Sequence, residues 1–327
     1  MRKKRAFIAG IDLGGTSVKV IIADGRNKIL ASNKKKTEVG LKPKALINEI
    51  ASLVERMAAD AGIKAKGLGA VSIGAPGTIN VARGVVNDAP NLGWRNVRLA
   101  AELKSRLGVP VIVDNDVNVG VVGEHALGAG RRVSELVGVF VGTGIGGGIV
   151  CGGDLYEGGH GWAGEIGHIV LLVDGPVCGC GHRGCAEALA SRTAMERDVR
   201  AAVKAGRKTA VTGIMKERNK DRMTSSVIQA ALGKKDPVMK EVIERAEYYL
   251  GILVANLVNA LDPERVVIGG GIAGRLGEDF VGPIRRTAAE YFLHPEAIKR
   301  VKIVKGTLGD DAGALGAVVL ARRRLRL

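Results

Sequence analysis

Twice in this chain, about 130 residues apart, an apolar run enters a glycine turn and a second apolar run leaves it, and this repetition limits the fold more than any other property of the sequence. In the first copy, Ala6 to Ile11 leads into Asp12-Leu13-Gly14-Gly15-Thr16 and Val18 to Ala23 returns. In the second, Leu136 to Val141 leads into Gly142 to Gly148 and Ile149 to Cys151 returns. Two strand–turn–strand units at this distance predict an internal duplication with one copy per lobe, and 327 residues suit two domains. The boundary near residue 120 follows from the repeat alone. It puts residues 1–119 and a returning helix, 311–327, in a small N-terminal lobe, and residues 120–310 in a larger C-terminal one.

Strands alternate with helices through both halves, which predicts α/β lobes with largely parallel sheets. Helical periodicity runs over Pro43 to Ala61, Val97 to Leu107, Ala186 to Ala205 and Pro237 to Leu261, and a last helix runs from Asp311 to the end. Short apolar strands at Gly69 to Ile73, Val109 to Val113 and Arg265 to Ile268 each run into polar or glycine-rich residues, and ligands of such folds collect beyond the carboxyl ends of strands. A further strand is expected at Val301 to Lys305. Gly206 to Met223 is rich in charge and poor in pattern, and reads as a mobile surface segment.

Forty-nine Lys and Arg against 33 Asp and Glu give a formal charge of +16, which raises the question of a polyanionic partner. The basic runs are short, at Arg2 to Arg5, Lys34 to Lys36 and Arg322 to Arg324 with Arg326, and read as solvated faces and frayed ends. With two Trp, four Tyr and four Phe in the whole chain, stacking platforms are scarce, which argues against nucleic acid as the main partner. Ala6 to Ile11 falls short of the roughly 7–15 residues of a secretory apolar core. Leu136 to Gly153 is uncharged over eighteen residues, but eight are Gly, so two buried strands are expected there rather than a membrane helix. A cytoplasmic protein is the expectation.

The glycine turns offer backbone N–H groups and a hydroxyl, the materials of an anion nest. Two equivalent turns, with Gly269 to Gly271 as a third, point to a nucleotide held across a cleft, with Asp12 acting through Mg²⁺. Gly142, Gly144 and Gly147 satisfy G-x-G-x-x-G, yet the run from Gly147 to Gly153 is strand-like where that motif needs a helix, so a dinucleotide site is rejected; no P-loop motif occurs. Cys178, Cys180 and Cys185 crowd into eight residues and, with a histidine, make the donor set of a closed structural zinc site. His168 and His182 compete for the fourth position. Cys151 reads as a small core residue. Asp114 and Asp116 come directly after the strand at Val113 and, on an extended chain, would point the same way, one of them serving as a general base. Glu165 and Glu187 flank the cysteine loop and, with Asn91 and Asn115, suit a polyhydroxylated ligand.

The segments IDLGGT, GAPG, APNLGW, DNDVN, VGTGIGGGI, GEIGH, CGCGHRGCAE, VVIGGGIA and GALGA appear in the order seen in the ROK family of sugar kinases and sugar-responsive repressors, so the sequence resembles that family, and its glucokinases most. The resemblance implies an actin-like, hexokinase-like ATPase fold of two RNase H-like lobes closing over ATP and a hexose, glucose favoured. By position it implies Asp116 as the base, with Asn91, Asn115, Glu165, His168 and Glu187 binding the sugar. His168 would also hold Zn²⁺ with Cys178, Cys180 and Cys185, which makes it the preferred histidine ligand. Asp12, Gly14, Gly15 and Thr16, with Gly142, Thr143 and Gly144, would hold phosphates and Mg²⁺, and Gly270 and Gly271 would lie against the adenosine. A homo-oligomer, dimer or tetramer, is implied in the same way. The family's repressors carry a DNA-binding segment ahead of the first glycine turn, and only eleven residues precede Asp12 here, so a kinase is expected rather than a regulator. Polyphosphate as an alternative donor is a further reading of the positive charge.

Overall fold

The computed structural model describes residues 6–38 and 40–327, which leaves the basic run Arg2 to Arg5 outside the described residues. The chain divides into two compact units, one made of residues 1–131, 155–163 and 310–327, the other of 132–154 and 164–309.

The first unit begins with β1 (Ile8–Leu13), β2 (Ser17–Ala23) and β3 (Ile29–Lys36), an antiparallel meander whose first two strands are largely buried. Helix α1 (Pro43–Asp60) starts on a proline, whose missing N–H costs nothing in a first helical turn, and buries the stripe Leu46, Ile47, Ile50, Leu53, Val54 and Met57. Then come β4 (Ala70–Ala75), a small antiparallel sheet of β5 (Thr78–Asn80), β6 (Val85–Ala89) and β7 (Trp94–Val97), α2 (Leu99–Leu107), β8 (Val111–Asn115) and α3 (Asp116–Leu127). The main sheet has the order β3-β2-β1-β4-β8, parallel only among β1, β4 and β8. Lys34, Lys35 and Lys36 therefore stand on an edge strand, where charge blocks pairing with another chain.

The second unit repeats the plan. β9 (Leu136–Val141) and β10 (Ile145–Cys151) form an antiparallel hairpin, so the uncharged stretch is two strands as expected. β11 (Asp154–Leu155) extends one side, and β12 (Arg265–Gly269) and β13 (Lys302–Lys305) extend the other in parallel, giving β11-β10-β9-β12-β13. Both sheets are thus mixed rather than largely parallel, because each opens with a hairpin that only then recruits crossover strands. No helix among the described residues is long and apolar enough to cross a membrane.

The helices of this unit are α4 (Ala186–Ala190), α5 (Arg192–Lys204), α6 (Ala210–Glu217), α7 (Ser225–Gly233), α8 (Pro237–Leu261), α9 (Gly270–Leu276), α10 (Glu278–Glu290) and the short α11 (Ala297–Arg300). Two expectations fail here. The helix expected over Ala186 to Ala205 is broken at Ser191, whose hydroxyl accepts from Ala194 N–H at 3.1 Å and caps α5. Gly206 to Met223 is not patternless: Thr209 caps α6, Asp236 accepts from Ala210 N–H, and Val211, Ile214 and Met223 are buried in the core. Its apolar residues are few, and Val211 and Ile214 share one helix face, which a count of charges does not show.

The last helix, α12 (Ala312–Leu325), returns to the first unit and packs against α3 and β1. Gly316 allows this, because a Cβ there would strike the Val119 carbonyl of α3. The basic run at its end is no frayed tail: Arg322 donates to Asn27 Oδ1 at 2.8 Å and to the carbonyl of Asp24 at 2.6 Å.

Candidate active site and metal centre

In the first unit, the turn after β1 is closed by Gly14 N–H donating to Ser17 O at 2.9 Å. Thr37, buried beside it, donates from Oγ1 to Gly14 O at 2.9 Å and from its backbone N–H to Thr16 O at 3.0 Å, so the chain beyond β3 clamps the turn. Nothing in the sequence marked Thr37, because its role lies in a contact more than twenty residues away. Gly15 packs against Asn91, which brings these two expected residues together. Asp12, in β1, lies over Gly313 at the start of α12. Burial pushes its carboxyl up to about 6, against Lys34 and Lys19, which lower it, and with Asp310, which adds to the rise. A carboxylate is a hard oxygen donor of the kind that holds Mg²⁺ and its waters.

The Asp114–Asp116 pair departs from the extended reading. Asn115 is the N-cap of α3, accepting from Val117 N–H at 2.9 Å and Asn118 N–H at 3.2 Å while donating to Gly77 O at 3.2 Å. The chain therefore turns between the two carboxylates, and they take different directions. Asp114 is buried, accepting from Asn115 N–H, Asn118 Nδ2 and Arg324 at 2.7, 3.1 and 2.6 Å. Asp116 is the first residue of α3, half-buried, with Oδ1 3.0 Å from Val117 N–H. The acid in a helix's first turn also gains from the helix dipole. Of the two, Asp116 is the more exposed.

In the second unit, the Gly142–Gly144 turn closes with Gly142 N–H donating to Gly144 O at 2.9 Å. Glu187, on α4, accepts from Ile145 N–H at 3.0 Å, and a Cβ on Gly144 would push that carboxylate aside. The other Glu187 oxygen lies 3.7 Å from Cys178 Sγ, so one side chain ties the glycine turn to the cysteine loop. Glu165 and His168 sit at a turn of 3-10 helix after β11, where His168 is exposed. Gly270, with a left-handed φ of 86°, and Gly271 open α9 where β12 ends.

One ligand atom each from His168, Cys178, Cys180 and Cys185 lies within 4.8 Å of all the others. Cys180 Sγ to Cys185 Sγ is 3.7 Å and Cys178 Sγ to His168 Nδ1 is 3.6 Å. A tetrahedron with zinc bonds of about 2.3 Å to sulfur and 2.0 Å to nitrogen has edges of about 3.8 and 3.5 Å, so the donor set fits zinc in kind and spacing. Burial pushes the Cys178 thiol up to about 12, whereas Cys180, against its own desolvation, is drawn down to about 6 by the backbone N–H and ring of His182. His182 Nδ1 is 3.5 Å from Cys180 but falls outside the four-atom cluster. Cys151 is remote from the loop and, contrary to expectation, exposed: it ends β10, with Glu135 as its partner.

Residues 8–324 match the ROK family, and the chain belongs to it. A glucokinase of Thermotoga maritima is 36% identical over 319 residues, covering 97% of this chain and 98% of that one. A xylose repressor of Caldicellulosiruptor bescii is 33% identical, covering 98% of this chain and 79% of that longer one. Among solved structures, a ROK family glucokinase from Streptomyces griseus in complex with glucose and AMPPNP superimposes with a TM-score of 0.84 at 31% identity, covering 97% of this chain and 99% of that one. The α/β fold is thus that of the ROK sugar kinases, as the motifs implied.

Proposed function

We propose that the protein is an ATP-dependent hexose kinase with glucose as its favoured sugar and the 6-hydroxyl as acceptor. The observation that carries this is Asp116, a carboxylate standing at the start of α3 with its neighbour Asp114 committed to structural bonds. Curated glucokinases at 32–36% identity favour glucose over another hexose or an N-acetylhexosamine such as N-acetylmannosamine, which are the alternatives.

In this reading the first unit supplies Asp116 as base and Asn91 as sugar ligand, with the Asn115 amide free to strengthen the grip only as far as its cap allows. The second supplies Glu165, His168 and Glu187. Phosphoryl transfer has a loose transition state, so alignment and charge stabilisation supply most of the rate. The sugar O–H loses its proton to the Asp116 carboxylate as its oxygen bonds to the γ-phosphorus, and the bond from that phosphorus to the β-phosphate oxygen breaks to release ADP. In this reading backbone N–H groups of Gly15 and Thr16 and of Thr143 and Gly144 would hold the phosphates, those of Gly14 and Gly142 closing the turns, and Gly270 and Gly271 would lie against the adenosine. Mg²⁺, when bound near Asp12, supplies charge neutralisation on the phosphates. Zn²⁺, when held by His168, Cys178, Cys180 and Cys185, supplies a closed structural crosslink that fixes the loop and, through it, Glu187.

ATP-dependent turnover over glucose, mannose, fructose, allose, N-acetylglucosamine and N-acetylmannosamine tests the reading. A dominant glucose rate is expected. A dominant rate on another sugar replaces the substrate but keeps the reaction, and no turnover with any of them sinks the kinase reading and leaves sugar sensing.

A further inference from the structure

Arg192, the first residue of α5, donates from Nη2 to Thr143 Oγ1 at 2.6 Å, and its backbone N–H donates to Gly142 O at 3.0 Å. Its neighbour Thr193 donates from Oγ1 to Thr143 O at 2.8 Å. The glycine turn is therefore held by α5 through its backbone, and the Arg192 guanidinium rests on the one hydroxyl in that turn. Three circumstances make this an unusual place for a cation. No carboxylate among the described residues forms a salt bridge with Arg192; its close acidic neighbour on α5, Glu196, is taken by Arg200 and Arg222 at 2.7 and 2.9 Å. Desolvation first and then the charge of Arg222 oppose the protonated form of Arg192, with Glu196 pulling the other way. A positive charge in the first turn of a helix also opposes the helix dipole.

A guanidinium with no salt bridge of its own, lying on a Gly-Thr-Gly turn and feeling the charge of Arg222 more than that of Glu196, has the character of an anion site. Thr143 and Thr193 alone would hold the turn without any charge. We propose that Arg192 is a ligand of the donor nucleotide's terminal phosphates, its fork turning part of its hydrogen bonding from Thr143 to phosphate oxygens when ATP binds. Arg222, held by Glu196, adds positive charge felt at Arg192. This deepens the kinase reading and rests on the Gly142–Gly144 turn being a phosphate site.

Binding of Mg²⁺-AMPPNP and of AMP, measured by calorimetry on the parent, Arg192→Ala and Arg192→Lys proteins, tests it. Loss of a charge-assisted phosphate bond is expected to weaken AMPPNP by about 10- to 100-fold in Arg192→Ala, with AMP affinity and the KM for sugar unchanged and Arg192→Lys intermediate. Circular dichroism and zinc content confirm that each variant is folded; Arg192→Lys, which keeps charge and length, carries the test should Arg192→Ala not fold. AMPPNP binding by folded Arg192 variants equal to the parent's overturns the proposal alone. Equal weakening of AMP and AMPPNP also overturns it, since the arginine would then only shape the turn. A parent that binds no AMPPNP at all overturns the kinase reading and the proposal with it.

Discussion

Arg324, near the end of the last helix, donates to the buried carboxylate of Asp114 at 2.6 Å, and the same nitrogen meets Glu157 at 2.5 Å. Asp114 in turn fixes the N–H of Asn115 and the side chain of Asn118, so the C-terminal helix braces the turn that presents Asp116. Removing one member of a buried ion pair leaves the other charge without compensation, at a cost of about 3–5 kcal/mol. Arg324→Ala is therefore expected to lose about that much in denaturant unfolding, and Arg324→Ala with Asp114→Asn together to recover part of it. A single variant within about 0.5 kcal/mol of the parent would show that the pair braces nothing.

Asp116→Asn separates chemistry from structure. The amide keeps the shape and the hydrogen bond to Val117 but cannot take a proton. A general base contributes about 10²–10⁴-fold, so turnover should fall by that factor while melting temperature and sugar affinity stay near the parent's. Asp114→Asn should do the reverse, with stability lost first. Comparable loss of turnover in the two, at equal stability, would remove Asp116 from the role of base.

How far the sequence could be read depends on the range over which each residue acts. The hairpins around Gly14 and Gly142 and the cysteine loop are local patterns, and the fold has them where the motifs put them. Thr37, Arg192 and Arg324 act across gaps of 23, 49 and 210 residues, and no local pattern carries such information. One signal was available for Arg192: a cation immediately after a Ser cap, where the helix dipole favours an acid. The turn between Asp114 and Asp116 was legible too, because Asp-Asn-Asp before an apolar run is an N-cap sequence. α6 was hidden since its buried face amounts to little more than Val211 and Ile214.

Zinc content gives a direct test of the four-ligand cluster. The parent should carry about one zinc per chain, and a strong chelator should lower its melting temperature, as for closed structural sites. His168→Ala should lose the metal, whereas His182→Ala should keep it, since only His168 completes the four-atom cluster. The opposite pattern would assign the fourth position to His182. Because Glu187 touches both Cys178 and the backbone of the glycine turn, chelation should also weaken AMPPNP binding.

Glu247 on α8 offers a pH test away from the site. It is buried, and desolvation first, then the charge of Glu244, push its carboxyl up to about 8 against the attraction of Arg286, with Asp279 adding to the rise. The folded chain therefore keeps a proton that the unfolded chain releases near pH 4.5. Between those values the folded state binds more protons than the unfolded one, so this group lowers stability as pH rises and has its full effect above about 8. Glu247→Gln cannot ionise and should escape that loss. Its melting temperature should match the parent's near pH 4.5 and exceed it by a widening margin up to about pH 8, beyond which the margin stays level. A margin that is constant across the range would mean that Glu247 titrates alike in the folded and unfolded chain, and that its burial is relieved by a partner other than Arg286.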